Sequence, residues 1–123
     1  MAALAAPLIL KEYMNKNVQQ LGYEKRLPII NYEGTINGKH SFKISFTREG
    51  DILRGTLINT FKKKNRIYGT IDLDDAFLIT EYEDGNKVGV LEGRILFGGE
   101  MKGTWSTPDG QKWFPFVLIK AIN

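Results

Sequence analysis

Five times this chain writes nearly the same pentad around a central glycine. The copies are Tyr32 to Ile36 (YEGTI), Leu53 to Leu57 (LRGTL), Ile67 to Ile71 (IYGTI), Leu91 to Ile95 (LEGRI) and Met101 to Trp105 (MKGTW). Each sets apolar residues two positions before and two after the glycine. Strand side chains alternate between faces with period two, so the glycine and both apolar residues share one face. Glycine inside a strand marks a bend, a bulge or a close backbone approach. Five such positions on one face describe a sheet that curls tightly onto its apolar side, a small β-barrel.

The turns agree. From residue 29 onward they recur at Asn37-Gly38, Glu49 to Asp51, Lys62 to Asn65, Asp72 to Asp75, Glu83 to Asn86, Phe97 to Glu100 and Thr107 to Gly110. They separate eight expected strands, near 29–36, 40–47, 52–60, 65–72, 76–82, 87–96, 100–106 and 112–120. Connections this short allow only antiparallel neighbours. The expected fold is therefore an all-β, eight-stranded antiparallel up-and-down barrel, and eight is a number at which such a sheet closes. An open, twisted sheet wrapped around an N-terminal helix is the alternative. Pro115, unable to donate to a ladder, should mark a bulge or an imperfect seam between the last strand and the first.

Ahead of the barrel domain (29–123), residues 1–28 form an apolar segment with one expected α-helix over 8–21. There Leu10, Met14, Val18 and Leu21 fall on one stripe, behind Pro7 and before Gly22. The start of the chain lacks a basic n-region and is not an intact secretory signal. Ala3-x-Ala5 is compatible with the remnant of a cleaved one, which leaves the compartment open, an extracytoplasmic origin included.

Parity from the glycines assigns Tyr32, Ile36, Phe42, Ile44, Phe46, Leu53, Leu57, Ile67, Ile71, Leu91, Ile95, Met101 and Trp105 to the interior. The fifth strand is ambiguous. Either Phe77 and Ile79 point in and bring Glu81 with them, or Leu78 and Tyr82 do. An outward Glu81 on a solvated strand is the plainer reading; an inward one would be the sharpest group in the interior, because burial disfavours a free carboxylate. Ile52, Ile58, Val88 and Val90 fall on the outer parity and would suit a contact surface if they were adjacent.

Alternate turns of a meander lie at opposite ends. The odd turns carry seven basic residues against three acidic, net +4; the even turns carry one against six, net −5. Both ends of the barrel domain's chain lie at the acidic end. The N-terminal segment, net +2, is suited to fold over that end and leave the basic end open. The run Lys62 to Arg66 sits on one hairpin without interleaved stacking aromatics, so it reads as a solvated turn and not as a nucleic-acid stripe. Asp72, Asp74 and Asp75 have no recognised cation-loop spacing and read as a polar turn.

Composition narrows the chemistry. The chain has no cysteine and one histidine, His40, which argues against disulfides, thiol catalysis and histidine-based metal sites. No apolar run approaches the roughly 20 residues of a membrane-spanning helix. No cofactor, metal or nucleic acid is expected.

Eight short strands with Gly103-Thr104-Trp105 near a strand end resemble the calycin-type barrels, the lipocalins and avidins. That resemblance implies a barrel holding a small apolar ligand. In those families the Gly-x-Trp lies in the first strand and here in the seventh, so no site residue is carried over. The C-terminal half is also similar to small uncharacterised bacterial β-barrel domains, often in exported or lipoprotein contexts. The shared pattern is Leu78-x-x-Glu81-Tyr82, Gly89-x-x-x-Gly93, Gly103-x-Trp105, Pro108-Asp109-Gly110 and Pro115-Phe116, and it implies no chemistry.

Three functions follow. The first is a non-enzymatic barrel that binds a partner protein or forms a subunit of a larger assembly, with partner contact or self-association through the N-terminal segment. The second is a carrier of a small amphipathic anion, its tail against Phe42, Ile44, Leu57 and Trp105 and its head near Lys62 or Arg66. The third is a small-barrel enzyme with Glu81 as general acid or base.

Overall fold

The computed structural model describes residues 27–122, and within them the chain is a closed barrel. Its strands are β1 (Ile30–Ile36), β2 (His40–Glu49), β3 (Ile52–Ile58), β4 (Lys64–Ile71), β5 (Ala76–Glu83), β6 (Asn86–Ile95), β7 (Met101–Ser106) and β8 (Trp113–Lys120). Each pairs antiparallel with its neighbours in sequence, and β1 closes the ring against β8 from Tyr32–Lys120 to Ile36–Phe116. Closure rules out the open-sheet alternative. The helix expected over 8–21 lies outside the described residues.

Turn chemistry sets the register. Asn37 and Gly38 both take positive φ (56° and 69°), and Lys39 N–H donates to the Ile36 carbonyl, the two-residue turn that matches strand twist. Asp84 and Gly85 repeat it between β5 and β6. The β3–β4 turn is built around Asn59, whose side-chain oxygen accepts from the Phe61 and Lys63 amides. Asp72 does the same for Asp74 and Ala76. Its carboxylate is engaged in shaping a turn.

The glycines face inward for a reason sharper than interior crowding. Gly93 and Gly103 stand opposite each other across β6 and β7. A methyl group added to either would come within 2.0 Å of a main-chain carbonyl oxygen on the partner strand. Main chain cannot rotate aside as a side chain can, so even alanine here forces the paired strands to shift.

The interior is filled by Tyr32, Phe42, Ile44, Phe46, Leu53, Leu57, Ile67, Ile71, Phe77, Ile79, Leu91, Met101, Phe116 and Leu118. On β5 it is Phe77, Ile79 and Glu81 that point in, so the plainer reading of Glu81 is overturned. Phe116 and Leu118 complete the set from β8. At the acidic end Tyr32 stacks on Phe46, with ring centroids 6.0 Å apart, and donates its hydroxyl to the Gly99 carbonyl at 2.9 Å. That side chain ties the β6–β7 turn across the end of the barrel. Burial, with Asp75 adding to it, raises the Tyr32 pKa above its ordinary value.

Pro115 makes no bulge. It stands one position past the last β1–β8 pair, where its carbonyl accepts from Asn37 N–H at 2.7 Å, so its missing donor falls where the ladder is already ending. The irregularity lies instead between β5 and β6, where Glu81 faces Gly89 but Tyr82 faces Lys87.

Candidate functional site

At the end formed by the β1–β2, β3–β4, β5–β6 and β7–β8 turns, the packed interior stops short of the rim. It leaves a cup of about 280 Å³, near the lower limit of small-molecule pockets. Ile36, Phe42, Leu57, Trp105 and Phe114 line it, with His40, Thr60 and Phe61 at its edge and Glu81 among its lining groups. Phe61 is 85% exposed. Trp105 and Phe114 lie nearly parallel, centroids 6.5 Å apart, while Phe42 packs edge-on against Phe116.

Glu81 is 5% exposed and both of its oxygens are engaged. Oε2 accepts from Asn65 Nδ2 at 2.7 Å, and Oε1 accepts from Trp105 Nε1 at 3.0 Å. Asn65, opposite Leu57 on β4, is itself buried. The β5–β6 irregularity and Gly89 make room for this arrangement. A methyl group at Gly89 would lie 2.3 Å from Trp105 Nε1 and 2.8 Å from Glu81 Oε1, on top of the hydrogen bond. Bulges commonly re-aim side chains beside functional sites. Among the described residues no lysine, arginine or histidine nitrogen comes within 4.0 Å of the Glu81 carboxylate. Both of its oxygens are met by neutral donors.

The expected binding residues separate. Phe42, Leu57 and Trp105 come together in the cup. Ile44 lies out of its reach, 1% exposed in the packed core. Lys62 borders an outer groove with Glu33, Lys43 and Ile119. Arg66 points outward from β4 into a different groove, with Arg54, Tyr68 and Tyr82. Neither cation lines the cup. Lys63 pairs with Glu83 across the odd-turn rim, a hydrogen bond that raises the lysine pKa.

Asn65, Gly89 and Phe114 were not anticipated as site residues, although strand parity carried a signal for two of them. Asn65 has the parity of Ile67, and Phe114 that of Phe116. The outward apolar residues do not gather: Ile52 and Ile58 belong to β3, Val88 and Val90 to β6, with two strands between. No family model matches the sequence, and no curated protein or solved structure matches it either.

Proposed function

We propose that this protein is a non-enzymatic binding barrel whose site is the cup at its basic end, taking the apolar part of a small ligand. The observation that carries this reading is the contrast between the ends. One is tied across by Tyr32 and the β6–β7 turn, while the other opens into an apolar, aromatic-lined cup of about 280 Å³ with a polar group set deep in its wall. A site of that kind binds through shape and apolar contact and orients its ligand with few polar groups. Glu81 fits orientation better than acid–base work, since both of its oxygens hold donors already. The test is amide chemical-shift mapping on nitrogen-15-labelled protein with three probes of one shape and different charge: choline, 3,3-dimethylbutan-1-ol and 3,3-dimethylbutanoate. Shifts at Phe42, Leu57, Gly89 and the Trp105 indole support the site. If none of the three moves those signals at millimolar concentrations, the cup is not a binding site.

A second reading, partner binding or self-association, has its own observation at the acidic end. Leu73, Phe97 and Ile122 are each more than nine-tenths exposed there, beside the point where residues 1–26 join the barrel. The stripe of Leu10, Met14, Val18 and Leu21, flanked by lysines, is chemically matched to an apolar end with an acidic rim. In this second role that segment covers the end, from the same chain or from a second copy.

A further inference from the structure

We propose that the cup selects a small organic ammonium ion. The inference rests on the cup being a binding site, as argued above, and adds the charge of what enters it. A buried carboxylate is normally met by a cation, because neutral hydrogen bonds replace only part of the lost hydration. Glu81 is buried with Asn65 and Trp105 as its donors and, among the described residues, with no cation in range. An ionised carboxylate offers about four acceptor positions, and two are taken.

The walls point the same way. Phe42, Phe61, Trp105 and Phe114 surround the space beside that carboxylate. Aromatic rings attract cations electrostatically, most strongly where water is excluded. A hydrated metal ion is not the match, since such ions need several oxygen ligands and these walls are largely hydrocarbon. An ammonium carrying short alkyl groups presents an apolar surface to the rings and a positive centre to the carboxylate. It also fits a volume of about 280 Å³.

The rim lysines oppose this ligand at a distance. They stand in solvent, where salt screens them over about 8 Å at physiological ionic strength, while a buried group is screened far less. Added salt should therefore strengthen ammonium binding. A site that takes an anion through its lysines would show the reverse.

The test uses the full chain with Trp113→Phe, which leaves Trp105 as the only indole. Its fluorescence is titrated with choline, 3,3-dimethylbutan-1-ol and 3,3-dimethylbutanoate. Choline is expected to bind about tenfold more tightly than the isosteric alcohol, the discrimination that cation–π contact together with a carboxylate supports. Its affinity should rise as salt is added, and Glu81→Gln should bring choline down to the level of the alcohol. If Glu81→Gln fails to fold, the charge series and its salt dependence on the parent decide by themselves. Equal binding of choline and the alcohol, or tightest binding of the carboxylate, overturns the ammonium assignment and leaves the cup as a site. Binding of none overturns both.

Discussion

The Glu81–Asn65–Trp105 network can be dissected by substitution. Glu81→Leu leaves the Asn65 amide, 5% exposed, without its acceptor, while the Trp105 N–H can turn to water in the cup. An orphaned buried amide costs about 1–3 kcal/mol. Asn65→Leu strips Oε2 of its donor and leaves a buried charge less compensated, a loss of about 1.5–3 kcal/mol. In the double variant Glu81→Leu/Asn65→Leu the charge and the stranded amide disappear together. Replacing a buried polar group with its partner by well-packed hydrocarbon is often neutral or stabilising. The double variant should thus lie within about 1 kcal/mol of the parent, giving a coupling of about 2.5–6 kcal/mol where it matches the parent. Urea unfolding followed by tryptophan fluorescence, compared at a common slope, measures it. In melting temperature each single variant should fall by several degrees, at about 4–8 °C per kcal/mol for a domain of 60–100 residues. Strictly additive losses would refute the argument, because they would mean that the two side chains act independently.

Gly103→Ala, or Gly93→Ala, should lower stability by about 1–3 kcal/mol despite adding one methyl group, because the clash is with main chain; a melting curve like the parent's would undo the close-approach argument. Tyr32 gives a pH signature. Its raised folded pKa means that its contribution is fully present below the ordinary tyrosine value of 10.0 and is lost as pH rises through the folded value. Between pH ~9.5 and ~11 the parent should lose more melting temperature than Tyr32→Phe, and equal losses would show that Tyr32 ionises as it does unfolded. Removal of residues 1–21 should lower the melting temperature or dissociate an oligomer, read by calorimetry and sedimentation. If neither changes, the acidic end is not covered by that segment.

The barrel was legible because its determinants are local. Glycine-centred pentads set parity, and Asn37-Gly38 and Asp84-Gly85 set hairpins, without reference to anything distant. The site was less so. Glu81 sat on a strand where both parities offered an apolar pair, and only contact with β4 and β6 decides between them. Asn65 closes a lysine-rich turn, which masks it, although Ile67 and Ile71 give its face. The same parity places Arg66 outside, but a cluster of charge invites reading by composition instead of by alternation. Pro115, by what it cannot donate, signals an interruption of the seam, and the β1–β8 ladder does end beside it, but nothing local distinguishes an ending from a bulge. Gly89 could be recognised only once a bulge and an indole were seen to meet there.

Closure of β1 on β8 restricts how any macromolecule can take hold of the described barrel. Many peptide-binding domains work by β-augmentation, in which an extended segment adds itself as one more strand to a free sheet edge. Every described strand here already has two neighbours, so the main-chain donors and acceptors such a peptide would use are spent within the ring. The same saturation denies an aggregating chain a template. Recognition is left to side chains on the wall and at the two ends. A partner of the described barrel must therefore read shape and charge there, since it finds no free strand edge to extend.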